Sequence, residues 1–597
     1  MKAHLRTSLF IFALASVLLT GCKMNPPNYF RHIQLNARNE IVGKYPVPDD
    51  SASLVNCYHF NYDDDGRLSK LEFLKNGKIR TDEFFLVSQV IIHYGENTEK
   101  RVFLNNRNKP ERNNNGVYSV ELFYDKDGNI LTQKHYDKAG RIAFDKDSVA
   151  QYAYKTDKKG LIISSYRLDK SGRRIIDDRP YEVKYKYDDH ENVIEESYHD
   201  VDGKPYENND LIIAKHFLYD EFGNMTEETF YGNENKKRKA KSLGFAIKRY
   251  KYDKFGYRIE ASTYDELDKL LEPQEEGYAI IQWKRDAHGN IIEERYLGSN
   301  KRLKLSNFFD AAIIRWKHDK DGNKTERNIY GVNDQLRSLK GKDFATIRNN
   351  FDDFGNETQT EYLDINGKII ENASTGVAKS IQKYDEFNRL IESSNYNKED
   401  KLVEVKETET IQLYGMYYGI ESVVEPAKVT YIYDTLGNRV ETKYFGTDGN
   451  LKVFSSDEAA IIKRTFDKYS DVIEICYYDE EEKLLPRSTY KFSITQYKYD
   501  SYGNLNEIKF LNADRQAMNI KGFGFSSIQY KHDEFNQITE IKYVNSNKEL
   551  TNIEDNGIAI QRNKYDESGN LIEIAYYGDD NKPITNKDWG VEVIRRK

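Results

Sequence analysis

Tyr431-Ile432-Tyr433-Asp434-Thr435-Leu436-Gly437-Asn438-Arg439 holds the end of one strand, a chain reversal and the start of a second strand. Aromatic and β-branched residues up to Tyr433 suit an extended, half-buried segment. Asp434 can accept hydrogen bonds from the backbone of its own turn, and Gly437 supplies the left-handed residue that a type I turn with a G1 bulge requires. The same arrangement recurs through the chain. Asp188, Asp220, Asp253, Asp286, Asp319, Asp352 and Asp385 are spaced by 32 and then five times by 33 residues. After one gap of 49, Asp434, Asp467, Asp500, Asp533 and Asp566 resume the 33-residue spacing. Asp63, Asp125 and Asp157 belong to the same series, with Tyr94-Gly95 where a degenerate unit turns. The gap is 16 longer than the period, which places an insertion around Ile411 to Pro426.

Such self-similarity outweighs the several-domain expectation for a 597-residue chain. Before each anchoring aspartate stands a strand-like stretch such as Ala279-Ile280-Ile281-Gln282-Trp283-Lys284. Three residues after most anchors stands glycine, or asparagine at Asn388 and Asn536, and a second strand such as Asn290 to Tyr296 follows. A longer connection, for example Gly446-Thr447-Asp448-Gly449-Asn450, leads to the next unit. Three equal antiparallel strands would flip alternate units, so two long strands per unit, with at most a short third, are expected. The fold class is all-β: an elongated antiparallel β-hairpin array over 56–597, free to coil into a superhelical ribbon or tube.

Composition agrees. Hydrophobic residues make up 38% of the chain but are largely aromatic, with 46 Tyr and 29 Phe, which favours strands. The net charge of −8 offers no basic field for nucleic acid, so no nucleic-acid partner is expected. Cys57 and Cys476 lie near opposite ends of the array and are read as free thiols.

The N-terminal residues are of another kind. Lys2 and Arg6 precede an apolar run, Leu9 to Leu19, too short to span a bilayer, which is a signal-peptide layout over 1–21. It ends in Leu19-Thr20-Gly21-Cys22, which resembles the lipobox of bacterial lipoproteins. The resemblance implies that Cys22 is lipidated and becomes the mature N-terminus, with the membrane as partner through that anchor. Lys23, rather than Asp, implies the outer membrane in envelopes that sort by this position, with the protein facing the periplasm or the surface. Residues 22–55 read as a lipidated tether and a poorly patterned lead-in.

Tyr431 to Arg439, with Tyr497-Lys498-Tyr499-Asp500-Ser501-Tyr502-Gly503-Asn504, also resembles the YD repeat of Rhs-type proteins. That resemblance covers roughly Cys57 to the C-terminus and implies a shell built of hairpins. It departs from the family in its longer period and in its end, where repeats continue to Lys597 and no toxin domain is expected.

Three rows of side chains accompany the turn. Tyrosine commonly precedes the anchor, and two residues earlier stand Tyr250, Trp283, Trp316, Tyr431, Tyr497 and Tyr530. These aromatics read either as cross-strand packing or, if exposed, as a ladder that contacts glycan or peptide. Seven residues after the anchor stands Glu195, Glu227, Glu260, Glu293, Glu326, Glu392, Glu441, Glu474, Glu507, Glu540 or Glu573. Carboxylates on equivalent strands should sit about 10 Å apart, too far to share one ion. They meet lysines such as Lys186, Lys251 and Lys284 only if the pairing is shifted by one residue. Asp125 to Asn129 and Asp319 to Asn323 mimic a calcium loop but have Tyr136 and Tyr330 at its twelfth position, so turn chemistry accounts for them. No metal, cofactor or catalytic constellation stands out. The chain reads as a non-enzymatic, lipid-anchored envelope protein that presents a β surface to a protein or glycan. The alternative is an Rhs-related shell or toxin-delivery component without its own toxin domain, and an enzyme site in the insertion has no residues behind it.

Overall fold

A computed structural model describes residues 27–597 apart from 83, 340, 414–415, 455–457, 567–570, 588–589, 591 and 596–597, together with the side chains outside 406–423. Cys22 and the apolar run before it lie outside these residues. The described chain is almost wholly β, and 37 strands form one antiparallel sheet that does not close into a barrel.

The turn behaves as its residues dictate. Between Lys428–Tyr433 and Arg439–Phe445, Asp434 N–H donates to Asn438 O (3.0 Å) and Gly437 N–H to Asp434 O (3.0 Å). The Asp434 carboxylate accepts from Asn438 N–H (2.8 Å) and Asn438 Nδ2 (2.9 Å). Gly437 has φ 83°, and Asn388 and Asn536 take φ 62° and 63° in their units. Glu191 and Ser470 occupy the same position at φ 64° and 69°, so the geometry persists where glycine and asparagine are missing. The bulge shifts the register between the last two residues of the first strand, as at Ile432/Tyr433. Asp125 and Asp319 hold Asn129 and Asn323 in the same way, as turn chemistry requires.

Twelve residues after the anchor the chain makes a second turn of the same design, which the sequence reading treated only as a long connection. Gly446 N–H donates to Asn450 O (2.9 Å) and Gly449 N–H to Gly446 O (3.1 Å). The short third strand amounts to a single bridge in most units, such as Phe445↔Leu451 or Leu297↔Leu303, and to a two-residue strand at Lys78–Ile79 and Lys236–Lys237.

Pairing is uneven, and the unevenness shapes the sheet. Lys428–Tyr433 and Arg439–Phe445 are matched at six positions, whereas the next unit adds only Glu441↔Lys463, Thr442↔Ile462 and Lys443↔Ile461. Neighbouring units therefore separate towards the turn margin. The tyrosine before the anchor fills that wedge: Tyr433 donates its hydroxyl to Leu390 O (2.9 Å), Tyr219 to Val193 O (2.8 Å) and Tyr252 to Met225 O (2.8 Å). In the unit that has Arg285 instead, its guanidinium donates to the equivalent carbonyl, Arg258 O, at 2.6 Å. At the opposite margin a row of small residues is fully buried, including Ala246, Ala312, Ala345, Ala378, Ala427 and Ala559. Ala559 N–H donates to Tyr577 O and its carbonyl accepts from Tyr543 N–H, so two backbones press against it and leave no room for a larger side chain.

A sheet spread by side chains along one margin and pinched along the other fans into a coil. The connector margin of the early units meets the turn margin of units far along the chain. Asn56 Nδ2 donates to Asn290 Oδ1 (2.9 Å), Lys78 pairs with Asp321 (2.7 Å), Arg107 Nε donates to Asn388 Oδ1 (3.1 Å), Arg141 pairs with Asp471, and Arg173 donates to Gln537 (2.9 Å). The sequence separation across this seam grows from 234 to 364 residues, so the coil widens from its N-terminal end.

Residues 27–55, read as a tether and lead-in, carry regular structure. Tyr29–Leu35 and Ile41–Pro46 form a hairpin, and Asp49–Leu54 a short 3-10 turn. Phe30, Ile33 and Ile41 join a core with Tyr58, Phe60, Leu71, Ile92, Leu122, Tyr154 and Tyr185. The hairpin thus plugs the narrow end of the coil against the aromatic face. Arg38 forms a two-pronged pair with Glu191 (2.6 and 2.9 Å), Asn224 Nδ2 donates to the Tyr45 hydroxyl (2.6 Å), and Lys44 donates to Gly223 O (2.9 Å). The insertion is a separate two-stranded sheet, Val405–Leu413 with Met416–Glu425.

Candidate functional site: the two faces of the coiled sheet

Alternation along each strand divides the side chains between two faces. Because the plug packs on the aromatic rows, that face is the concave one. Tyr250 is buried, while Trp283, Trp316, Tyr431, Tyr497 and Tyr530 are half-buried, each on the same strand position of its unit. A cation five residues after the anchor covers several of these rings: Arg258 lies 4.4 Å from the centre of Tyr250, Lys324 5.6 Å from Trp316, and Arg439 5.1 Å from Tyr431. Trp283 Nε1 donates to Glu294 Oε1 at 3.1 Å.

Glu294 belongs to a row that the sequence reading passed over. Glu196, Glu228 and Glu294 stand one residue beyond the glutamates of the outer face, and the doubled pairs Glu195-Glu196, Glu227-Glu228 and Glu293-Glu294 were its visible signal. The Tyr198 and Tyr296 hydroxyls donate to Glu196 and Glu294 at 2.7 Å. Burial, reinforced by these carboxylates, raises both tyrosines far above the usual phenol range. Burial likewise raises Glu228. The concave face therefore offers aromatic rings, bordered by carboxylates in the units of Glu196, Glu228 and Glu294 and by cations at Tyr250, Trp316 and Tyr431.

The convex face carries the lysine and glutamate rows, and the bulge decides their meeting. With the register shifted after Lys251, that residue lies directly across from Glu260, and Lys186↔Glu195, Lys284↔Glu293, Lys317↔Glu326, Lys383↔Glu392 and Lys564↔Glu573 repeat the pairing. Nitrogen to oxygen distances run from 2.7 Å for Lys251 and Lys564 to 3.3 Å for Lys284. The same glutamates reach the next unit: Arg249 pairs with Glu227 (2.7 Å), Arg315 with Glu293 (2.6 Å) and Arg562 with Glu540 (2.9 Å). Burial pushes Glu293 up, but hydrogen bonds from Arg295, Arg315 and Lys284 outweigh it and bring the group down to about 2. These carboxylates are engaged as links of a charged ladder along the ribbon.

Cys57 and Cys476 are free, buried thiols in separate clusters. Among the described residues no three or more His, Cys, Asp and Glu are grouped to hold a metal ion, and no helix is long and apolar enough to cross a membrane.

No family model and no curated protein matches the chain. Among solved structures, the toxin complex TcdB2-TccC3-TEV is similar at 11% identity with a TM-score of 0.32, over 89% of this chain and 26% of that one. TcdB2-TccC3-Cdc42 gives 10% identity and a TM-score of 0.32, over 92% and 28%. A porin-like protein from Bacteroides uniformis gives 9% identity and a TM-score of 0.18, over 40% and 86%. The chain thus spans about a quarter of the length of the toxin chains it matches.

Proposed function

We propose that this chain is a non-enzymatic repeat scaffold, held at the bacterial outer membrane by lipid on Cys22, which presents its β surface to a protein or glycan partner. The observation that carries this reading is the concave row of half-buried rings, in which Trp283 donates to Glu294 and Lys324 lies over Trp316. Flat aromatic rings beside carboxylates suit the apolar faces and hydroxyl edges of sugars, and equally the side chains of an extended peptide. Screening the full chain against glycan, peptide and envelope-protein arrays should return a ligand whose binding weakens at least about tenfold in a Trp283→Ala, Trp316→Ala double variant. Absence of any ligand, or binding indifferent to both substitutions, sinks the proposal. The anchor is tested separately: radiolabelled palmitate should be incorporated by the native protein and not by Cys22→Ala.

A second reading, an Rhs-related shell or delivery component lacking its own toxin, is favoured by the plugged narrow end and the seam between coils. It requires a lumen that retains a co-expressed polypeptide. Electron microscopy of purified particles that are empty under co-expression with neighbouring gene products counts against it.

A further inference from the structure

We infer, resting on the glycan branch of the function proposed above, that a cavity between the tip of the plug and the aromatic face binds the terminal units of a neutral glycan. The narrow end of the coil would then recognise a chain end. The cavity, of about 540 Å³, lies where the tip of the plug hairpin, around Asn36, faces the concave side of the units anchored at Asp157, Asp188 and Asp220. That volume falls within the roughly 300–1,000 Å³ usual for small-ligand sites. Ile162 belongs both to the lining and to the core in which Phe30 and Ile33 of the plug pack. The core therefore closes the groove behind the cavity, and a chain lying along the concave rows would meet it with its end.

Among the described residues the lining holds one carboxylate, Glu191, and both its oxygens are taken by Arg38, at 2.6 and 2.9 Å. His190, exposed at the rim, carries the lining's imidazole. The rest is rings, hydroxyls and amides. Tyr187 and Tyr219 spend their hydroxyls in the wedges, on Ile162 O (2.5 Å) and Val193 O (2.8 Å), and present their rings. The Tyr185 hydroxyl shares a hydrogen bond with Ser165 (3.1 Å), whereas that of Tyr154 meets no hydrogen-bond partner among the described residues. Burial raises both phenols, Tyr185 to about 12, so each hydroxyl stays protonated and can donate as well as accept. Rings beside such hydroxyls match a sugar, whose C–H faces pack on aromatics while its hydroxyls give and take hydrogen bonds. A peptide end would instead bring an ammonium or a carboxylate. Desolvating that charge with nothing beyond the rim imidazole to meet it is costly.

Saturation-transfer NMR of the full chain with maltose, cellobiose, lactose and diacetylchitobiose, each alone, should show saturable binding of at least one, with transfer from tyrosine ring protons to the sugar. Tyr154→Phe removes a hydroxyl that the chain itself does not use, so the fold is kept, and should weaken that disaccharide at least about threefold. Leu35→Trp, at a rim position 43% exposed, should fill the mouth and weaken it at least about tenfold. Lys186→Gln on the convex face should leave binding unchanged. Binding of none of the four disaccharides, or binding that either cavity variant leaves intact, overturns the inference; if the arrays still return a ligand that depends on Trp283 and Trp316, the function proposed above stands without it. Saturable binding of the dipeptide alanyl-alanine in place of every sugar makes the occupant a peptide end and likewise overturns it.

Discussion

Gly128 and Gly256 occupy the same turn position, yet an added methyl group meets different surroundings at each, and this difference measures how firmly the plug is held. Gly128 has φ 82° and open space where a Cβ would stand. Gly128→Ala therefore pays only for a left-handed alanine, about 1 kcal/mol, and Gly128→Asn should lose a few tenths of that order. Gly256 has φ 79°, but its Cβ would lie 2.2 Å from Cε2 of the Tyr45 ring. Tyr45 cannot easily yield, because its hydroxyl is held by Asn224 Nδ2 at 2.6 Å and its ring packs edge-on to His32 at 5.6 Å. Gly256→Ala should therefore carry the same backbone strain and a further 1–3 kcal/mol of overpacking. Repeat arrays need not unfold in one step, so the assay is site-resolved hydrogen exchange rather than a single melting temperature. Gly128→Ala should accelerate exchange only around its own turn. Gly256→Ala should also release protection across 29–46, because the plug must withdraw. Equal effects confined to the two turns would refute the docking of the plug through Tyr45.

Tyr219→Phe removes the hydroxyl that spans the wedge to Val193 O, and the opening free energy between those units should fall by about 1 kcal/mol in hydrogen exchange; unchanged protection there would show the wedge to be held by packing alone. Glu293 is held near 2, below its unfolded value of about 4.3, so its stabilisation is present above the unfolded value and is lost as pH falls towards 2. Glu293→Gln should cost about 2 kcal/mol of local stability at neutral pH and flatten the acid dependence between about pH 4.5 and 2, whereas a variant with the same acid profile as the parent would contradict the ladder. Lys251→Ala, whose partner is reached from an exposed position, should lose less than about 1 kcal/mol, and that loss should fade in high salt. Burial raises the thiols of Cys57 and Cys476 to about 11, with Glu474 adding to the latter, so both should resist an aromatic disulfide reagent at pH 8 and react on denaturation; rapid modification of the native protein would be the contrary result.

The period and the turn were legible because both are local. An aspartate followed at the third position by glycine or asparagine prescribes a positive φ, from 62° at Asn388 to 98° at Gly289, with Gly437 and Asn536 between. The second turn of each unit was legible in principle, since Gly446 to Asn450 repeats the pattern, but its partners change from unit to unit and hide the rule. The lysine and glutamate rows could be counted and still not matched, because one bulge residue decides whether Lys251 faces Glu260 or the opposite side of the sheet. The concave carboxylates were visible as doubled glutamates, although only burial beside Tyr198 and Tyr296 distinguishes their inner member.

Residues a few positions apart in the chain thus determined the hairpins, their spacing and the kind of residue at each reversal, through backbone sterics and short-range hydrogen bonds. The widening of the coil and the plug at its narrow end were decided only by tertiary structure. Each depends on groups more than 150 residues apart, such as Arg38 with Glu191 or Asn56 with Asn290, which meet because small deviations between neighbouring units accumulate around a turn of the coil. No local pattern encodes that accumulated angle.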